Sequence, residues 1–260
     1  MSQVENGHML IGEDIHLSFD GIKALDGVDF SVKKEHIVSI IGPNGAGKTC
    51  LINCITGYYR PERGRILCQG QNILGLKPHK IARLGISRTF QNPTTYPNMT
   101  ALDILMAARY LHTRATMLDS MLYFGRSRHE ELESRQIVEE IVSFVHIEDL
   151  RKIPVAMMSY GQRKQVEIAR VLAMQPRVII LDEPMSGLDE VMKEIITELI
   201  LNMYKRGMTI ILVEHDIQAV MELSHSIIVL DYGQKVSEGT SLQISQDKRV
   251  AVAYLGGIAR

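Results

Sequence analysis

The feature that most constrains the fold is the octapeptide at residues 42–49, Gly-Pro-Asn-Gly-Ala-Gly-Lys-Thr, which fits the pattern G-x-x-x-x-G-K-[ST]. It follows an apolar run with strand character at residues 36–41 and opens a helix-like run at residues 48–56. In such a setting the glycines bend the backbone around a phosphate, and inward N–H groups and the helix N-terminus attract its charge. A glycine-rich turn before a helix is the alternative, but the flanking runs favour a phosphate-binding loop, called the phosphate loop below.

The chemistry of the phosphate loop predicts roles for its residues. Lys48 is placed to reach the β- and γ-phosphates of a nucleotide, and the Thr49 hydroxyl is placed to ligand Mg²⁺. The candidate nucleotide-binding residues here are Gly42, Pro43, Asn44, Gly45, Ala46, Gly47, Lys48, Thr49 and Cys50. By itself, the loop indicates only that a nucleotide binds.

Composition and charge narrow the classes of function. The 260 residues are 45% hydrophobic and 23% charged, as in one or two ordinary globular domains. A net charge of −1 provides no basic field, so general nucleic-acid binding is disfavoured. We expect neither a signal peptide nor a membrane span, because the start is polar and acidic and no apolar run approaches about 18 residues.

The three cysteines are Cys50, Cys54 and Cys68. Cys50 and Cys54 would share one face of the helix after the phosphate loop, so a metal site is conceivable. No further cysteine or histidine completes a ligand set at zinc-like spacing, however. We therefore expect buried, reduced thiols in a cytosolic protein.

The hydrophobic pattern predicts an α/β fold with a helical insertion. Residues 9–41 are β-rich, with turns expected at Asp20-Gly21 and at Asp26-Gly27. From residue 100 to about 155 the pattern is helical, with Thr100 as a plausible N-cap. Apolar stripes are expected at Met117, Leu118, Met121 and Leu122 and at Ile137, Ile141, Phe144 and Val145, with a charged, solvated connection at 125–135.

Strands and helices alternate from residue 177 onward, which is typical of βαβ units in a parallel sheet. We therefore predict one nucleotide-binding domain over 1–260. Its parts would be a core lobe with an antiparallel β-subdomain at 9–91 and 177–239, a helical subdomain at 92–176 and a C-terminal tail at 240–260.

The apolar strand at 178–181 ends in two carboxylates, Asp182 and Glu183. An acid at such a strand end can hold Mg²⁺ beside a phosphate loop, and Asp182 fits that role. Glu183, one residue further on, can orient or deprotonate the water that attacks the γ-phosphate. Two acids that merely end a strand are the alternative.

A second candidate anion site lies at Ser159 and Gly161, where a helix is predicted to start. An N-cap alone would explain the serine. At the stretch Met158-Ser159-Tyr160-Gly161-Gln162 the chain resembles the nucleotide-binding subunit of ABC transporters, and the resemblance extends over nearly the whole sequence. The commoner signature of that family is Leu-Ser-Gly-Gly-Gln, so Met158 and Tyr160 depart from it. The resemblance implies that Ser159, Gly161 and Gln162 contact nucleotide.

The same resemblance implies roles for residues that follow in the family's order. Phe19 would stack on adenine, Gln91 would reach Mg²⁺ and join the two lobes, and His215 would sense the γ-phosphate. Asp189 would end a loop at 186–189 that contacts a second subunit. Core packing of Phe19 and an ordinary histidine at a helix start are the alternatives for Phe19 and His215.

Finer features resemble the ATPase of branched-chain (hydrophobic) amino acid importers of the LivG type. They include residues 51–57, residues 82–91, the tyrosine in the signature, the insertion around 113–135 and the ending at 252–256. Importers of urea and short amides look similar and stay an alternative.

The resemblance implies a subunit that hydrolyses Mg-ATP and pairs face to face with a second ABC ATPase subunit, identical or paralogous. The pair would bind permease subunits on the inner, cytoplasmic face of the cell membrane and so serve a periplasmic or extracellular substrate-binding protein. No nucleic-acid partner is expected. The rivals are a non-transport ABC ATPase acting on ribosomes or DNA, which usually has two cassettes or a coiled-coil insertion, and a P-loop kinase, against which the signature and His215 argue.

Overall fold

The computed structural model describes residues 7–90, 98–111 and 126–255. These residues form two compact units, one from the described parts of 1–88 and 177–260 and the other from the described parts of 89–176. None of the described helices combines the length and the apolarity that a membrane-spanning segment needs.

The elements are numbered in chain order. The strands are β1 (His8–Phe19), β2 (Ile22–Lys33), β3 (Ile37–Ile41), β4 (Arg63–Cys68), β5 (Gln71–Asn72), β6 (Ile86–Arg88), β7 (Val178–Asp182), β8 (Thr209–Val213), β9 (Ser226–Asp231) and β10 (Gln234–Gly239). The helices are α1 (Lys48–Ile55), α2 (Pro78–Arg83), α3 (Ala101–Arg109), α4 (Arg126–Val145), α5 (Tyr160–Ala173), α6 (Glu190–Lys205), α7 (Ile217–Leu223), α8 (Ser241–Gln246) and α9 (Lys248–Leu255).

The first unit is built on a sheet of six strands in the order β10-β9-β3-β8-β7-β6. Its strand pairs are parallel except for β9 with β10. Every residue of β3, β7 and β8 is buried, as expected for strands covered on both faces. The phosphate loop, Asp182 and His215 follow or end these three neighbouring strands, so they meet at one edge of the sheet. The predicted α/β fold with a mainly parallel core sheet is confirmed.

The same unit carries an antiparallel sheet in the order β2-β1-β4-β5, which confirms the predicted β-subdomain. Asp20 and Gly21 both have positive φ, 48° and 82°, and form the expected turn between β1 and β2. The turn predicted at Asp26-Gly27 is wrong, because both residues lie inside β2. Ile15 pairs with Val28 and Leu17 pairs with Leu25, so β2 has one residue more than β1 here. Asp26 and Gly27 therefore form a β-bulge, and the φ of +72° at Gly27 suits it.

The second unit is helical, and two of its helices begin with reciprocal capping. The Thr100 side chain accepts a hydrogen bond from the Asp103 N–H, and the Asp103 carboxylate accepts one from the Thr100 N–H, so the predicted N-cap of α3 is confirmed. Ser159 caps α5 in the same way.

The segment predicted as a connection at 125–135 is instead helical wherever the structure describes it, because α4 begins at Arg126, but its described side chains are mostly exposed, as expected. Arg and Glu are good helix formers, and the ion pair of Glu131 with Arg135 joins neighbouring turns. The buried face of α4 is Val138, Val142 and Val145, whereas the expected Ile137, Ile141 and Phe144 lie half-buried beside it. The stripe predicted from Met117 to Leu122 lies outside the described residues.

Candidate nucleotide-binding site

The glycines of the phosphate loop are required by its backbone. Gly42, Gly45 and Gly47 have φ angles of 152°, 82° and 100°, in the region that favours glycine. A Cβ atom at Gly42 would lie 2.1 Å from the Leu230 carbonyl oxygen, and one at Gly47 would lie 2.7 Å from that of Ala24. No atom lies within 4 Å of a Cβ built at Gly45. The loop is thus packed against backbone at both ends and open at its middle, where a phosphate group needs space.

The turn between β9 and β10 supports the phosphate loop from behind. The Gly233 N–H donates to the Ala46 carbonyl at 3.1 Å, and the Asp26 N–H in the bulge of β2 donates to the Gly233 carbonyl at 2.8 Å. The Ala46 N–H donates to the Pro43 carbonyl within the loop at 3.1 Å. This support was not predicted from the sequence, although a glycine at 233 after a strand was a visible turn signal.

Lys48 lies folded over the loop and is buried. Its Nζ donates to the Gly42 carbonyl at 2.7 Å and to the Pro43 carbonyl at 3.0 Å. Burial lowers the pKa of Lys48, whereas the charges of Glu183 and Asp182 act on that pKa in the opposite direction. A lysine held by neutral carbonyl acceptors can turn to a bound phosphate, because a hydrogen bond to a charged acceptor is stronger.

The start of α1 offers a second group of donors for an anion. Gly47 is its N-cap and provides no side-chain hydrogen bond, so the first N–H groups of α1 have no side-chain cap. Thr49 lies exposed in the first turn, beside Cys50, which is half-buried. Such a helix end binds phosphate oxygens through its N–H groups and its dipole.

Asp182, at the end of β7, lies in a buried polar cluster. Its Oδ2 accepts from Arg88 Nη2 at 2.6 Å, and Arg88 Nη1 donates to Asn53 Oδ1 at 2.5 Å. This cluster joins β7, β6 and α1 and was not predicted from the sequence. The Asp182 carboxylate and the Thr49 hydroxyl are hard oxygen donors of the kind that Mg²⁺ prefers, so the residues present fit that ion.

Glu183 has a strained backbone and a paired side chain. Its φ of 48° is left-handed, which costs a non-glycine residue roughly 1–2 kcal/mol. The Glu183 N–H donates to the Val213 carbonyl at 2.8 Å, and its Oε1 lies 2.9 Å from His215 Nε2. The His215 side chain is 42% exposed and that of Glu183 is 14% exposed, so the pair opens to solvent on the histidine side. The structure thus brings these two predicted residues into contact.

Glu214, between Val213 and His215, is a buried acid that the sequence analysis missed. Its Oε1 accepts from the Met185 N–H at 2.8 Å, and its Oε2 accepts from the His215 N–H at 3.1 Å. Burial raises the pKa of Glu214, and the hydrogen bonds from the backbone oppose that shift. The available signal was an acid directly after an apolar strand, the same pattern that identified Asp182.

Phe19, at the end of β1, is 44% exposed, so it is not a core residue. Its ring meets the Tyr59 ring edge-on, with centroids 5.2 Å apart and an angle of 71° between planes. Tyr59 is 37% exposed and was not predicted as part of the site. A half-exposed aromatic ring whose orientation is held by a neighbour can stack on a base.

In the second unit, Ser159 and Gln162 hold the N-terminus of α5. Ser159 Oγ accepts from the Gln162 N–H at 3.3 Å, and Gln162 Oε1 accepts from the Ser159 N–H at 2.8 Å. Gly161 and Met158 are buried, and Tyr160 is 36% exposed with Lys164 Nζ 5.6 Å from its ring centroid. Met158 therefore packs inside the unit, and Tyr160 lies outside the hydrogen bonds of the cap.

The remaining predicted site residues are placed as follows. Asp189 is the N-cap of α6 and accepts from the Met192 N–H at 2.8 Å. Gln91 lies outside the described residues. The three cysteines form no disulfide, and burial raises their pKa values, that of Cys54 to about 12. Within the described ranges, no group of three or more His, Cys, Asp or Glu side chains is arranged to hold a metal ion.

Comparison with known proteins gives one family. The ABC transporter family matches residues 25–186. The chain is 36% identical over 241 residues to the high-affinity branched-chain amino acid transport ATP-binding protein BraF of Pseudomonas aeruginosa, covering 92% of this chain and 94% of that protein. It is 34% identical over 241 residues, with the same coverage, to the high-affinity branched-chain amino acid transport ATP-binding protein LivG of Escherichia coli K12.

Solved structures agree with these sequence matches. The ADP conformation of MJ1267, an ATP-binding cassette of an ABC transporter, superposes with a TM-score of 0.82 at 31% identity, covering 96% of this chain and 99% of that one. The dimeric structure of MJ0796, a bacterial ABC transporter cassette, superposes with a TM-score of 0.76 at 26% identity, covering 90% and 99%.

Proposed function

This chain belongs to the ABC transporter family and is an ATPase, and we propose that it powers an importer of branched-chain or other hydrophobic amino acids. The observation that supports ATP hydrolysis is the meeting of Lys48, Asp182 and the Glu183–His215 pair at one edge of the core sheet. The names of the relatives BraF and LivG support the amino-acid substrate.

The reaction we propose is attack of a water molecule on the γ-phosphate of ATP. Glu183 would accept the proton of that water, and the hydrogen bond at 2.9 Å to His215 would hold the carboxylate in its orientation. Lys48 would move from its carbonyl acceptors to the β- and γ-phosphates and stabilise the charge that develops on them. The protein thus contributes position and charge.

Thr49 and Asp182 would hold Mg²⁺, and the family resemblance adds Gln91. When bound, Mg²⁺ neutralises charge on the phosphate oxygens. The Arg88 contact holds the Asp182 carboxylate in place at the end of β7. The aromatic pair of Phe19 and Tyr59 would receive the adenine.

We infer that the working form is a dimer. The chain has one phosphate loop and one capped signature helix, and the related cassette MJ0796 is described as dimeric. The signature of each subunit, through Ser159, Gly161 and Gln162, would face the γ-phosphate held by the other subunit. Asp189 and its loop would contact the second subunit, which is either a copy of this chain or a paralogue.

The dimer would act at the cytoplasmic face of the cell membrane through permease subunits. These permeases would receive substrate from a periplasmic or extracellular binding protein. The two related proteins are ATP-binding proteins of high-affinity branched-chain amino acid transport, which supports this arrangement over an enzyme that works away from membranes.

An uptake experiment tests the proposal. The gene is deleted in the source organism and restored as wild type, as Lys48→Ala or as Lys34→Ala, an exposed lysine outside the site. We expect uptake of radiolabelled leucine, isoleucine and valine to be lost on deletion. Wild type and Lys34→Ala should restore that uptake, and Lys48→Ala should not. Loss of urea uptake with normal leucine uptake would show that the chain serves a urea importer. Normal uptake of both urea and leucine would refute the proposed role in amino acid import.

A further inference from the structure

We propose that Glu214 is a positioning residue, whose buried carboxylate fastens the loop that carries Glu183 to the segment that begins with His215. The inference rests on the proposed hydrolysis of ATP by Glu183 and His215. It adds a residue that acts through those two side chains, because its carboxylate bonds the backbone next to each of them.

The geometry begins with two hydrogen bonds from different segments. Glu214 Oε1 accepts from the Met185 N–H at 2.8 Å, two residues after Glu183. Glu214 Oε2 accepts from the His215 N–H at 3.1 Å. The bond from the Met185 N–H therefore joins the chain after β7 to the chain after β8, and the second carboxylate oxygen, bonded to the neighbouring His215 N–H, fixes the orientation of the Glu214 side chain.

The loop that Glu214 fastens is under strain. Glu183 holds a left-handed φ of 48°, which persists only if its surroundings enforce it. The Glu183 N–H donates to the Val213 carbonyl at 2.8 Å. The next hydrogen bond described between this loop and the chain at the end of β8 is the one from the Met185 N–H to Glu214. Without the carboxylate, the segment after Glu183 loses a bond that keeps the side chain directed at His215.

The same bridge also supports the loop at 186–189, which follows Met185. The Leu188 N–H donates to the Met185 carbonyl at 3.3 Å. The hydrogen bond from the Met185 N–H to Glu214 therefore holds the residue against which this loop folds back.

The main test is Glu214→Gln, with Glu214→Met as the second variant and Thr209→Val as the control. Glutamine keeps the size of the side chain, but its NH₂ group would face one of the two backbone N–H donors and could not accept from it. Methionine removes both acceptor oxygens. Thr209, at the other end of β8, is equally buried and accepts from the Glu35 N–H at 3.0 Å, away from the site. The measurements are kcat and KM for ATP, calorimetric ATP affinity and hydrogen exchange of the Met185 amide.

We expect Glu214→Gln to lower kcat by about 10²-fold, the effect of a small misplacement of reacting groups, and to leave ATP affinity within about twofold. Exchange of the Met185 amide should accelerate in that variant and stay slow in Thr209→Val. In a Glu183→Gln background, Glu214→Gln should lower the single-turnover rate no further, because it acts through Glu183.

Three results would overturn the inference. They are an unchanged kcat, an equal loss of kcat and ATP affinity, or a further rate loss of the same size in the Glu183→Gln background. If neither variant folds, hydrogen exchange of the wild-type protein still tests the inference. A Met185 amide that exchanges as fast as an exposed amide would contradict its hydrogen bond to Glu214. A wild-type protein that does not hydrolyse ATP would instead refute the proposed function.

Discussion

Replacing Glu183 by glutamine separates the binding of ATP from its hydrolysis. Gln has nearly the size of Glu, so the loop held by the Glu183 N–H bond to Val213 should persist. The amide can also keep the 2.9 Å contact with His215 Nε2, since either ring nitrogen can be donor or acceptor. What the variant loses is the negative charge and the ability to take a proton from water.

The magnitude follows from that single loss. A positioned general base contributes about 10²–10⁴ in rate, which corresponds to about 2.7–5.5 kcal/mol of activation free energy. The phosphate loop and Asp182 are untouched, so ATP affinity should change by less than about 0.5 kcal/mol. Glu190→Gln is the matched control, because Glu190 is 84% exposed at the start of α6.

The assay combines phosphate release with a measurement of assembly. Single-turnover phosphate release should fall by at least two decades in Glu183→Gln and stay normal in Glu190→Gln. Size-exclusion chromatography with Mg-ATP should show an accumulated dimer that ADP does not support, with the paralogue added if the native pair is mixed. Full hydrolysis by Glu183→Gln would refute its role as base, and a variant that binds ATP but never pairs would refute the shared site.

Three further outcomes are expected. Phe19→Ala should weaken ATP binding by about 1–3 kcal/mol in calorimetry, whereas Phe19→Tyr should be nearly silent; an unaffected Ala variant would assign the adenine to another side chain. Gly233→Ala places a Cβ 2.8 Å from the Ala24 carbonyl oxygen and should lower ATP affinity, whereas Gly70→Ala, with a similar φ but no atom within 4 Å, should not; equal affinities would contradict the support of the phosphate loop. Ile211→Ala in the fully buried β8 should lower the free energy of unfolding in urea by about 2–5 kcal/mol, and a loss below 1 kcal/mol would be inconsistent with its burial.

The parts of the fold that could be predicted are those decided by neighbouring residues. The phosphate loop is a contiguous motif, and continuous apolar runs such as Val178–Asp182 indicate a buried strand. The capping of α3 by Thr100 and Asp103 is likewise set within one turn of helix. For such features the pattern and the structure agree, because the forces that shape them act over a few residues.

The parts that could not be predicted depend on distant residues. Asp26 and Gly27 have the local chemistry of a turn, yet pairing with β1 makes them a bulge. The contact of Arg88 with Asp182 joins positions 94 residues apart, and no local pattern indicates it. Tyr59 belongs beside Phe19 only because β1 ends near the segment after α1.

The packing of the phosphate loop against Leu230 and Gly233 has a consequence for biosynthesis. The loop comprises residues 42–49, but the backbone that shapes it, at residues 230 and 233, is translated only after all of β4 to β8. A nascent polypeptide that stops before β9 carries the whole motif without the surface against which it folds. Nucleotide affinity should therefore arise only after β9 has been translated, and ATP should bind chains that include β9 and β10 in preference to chains that stop before them.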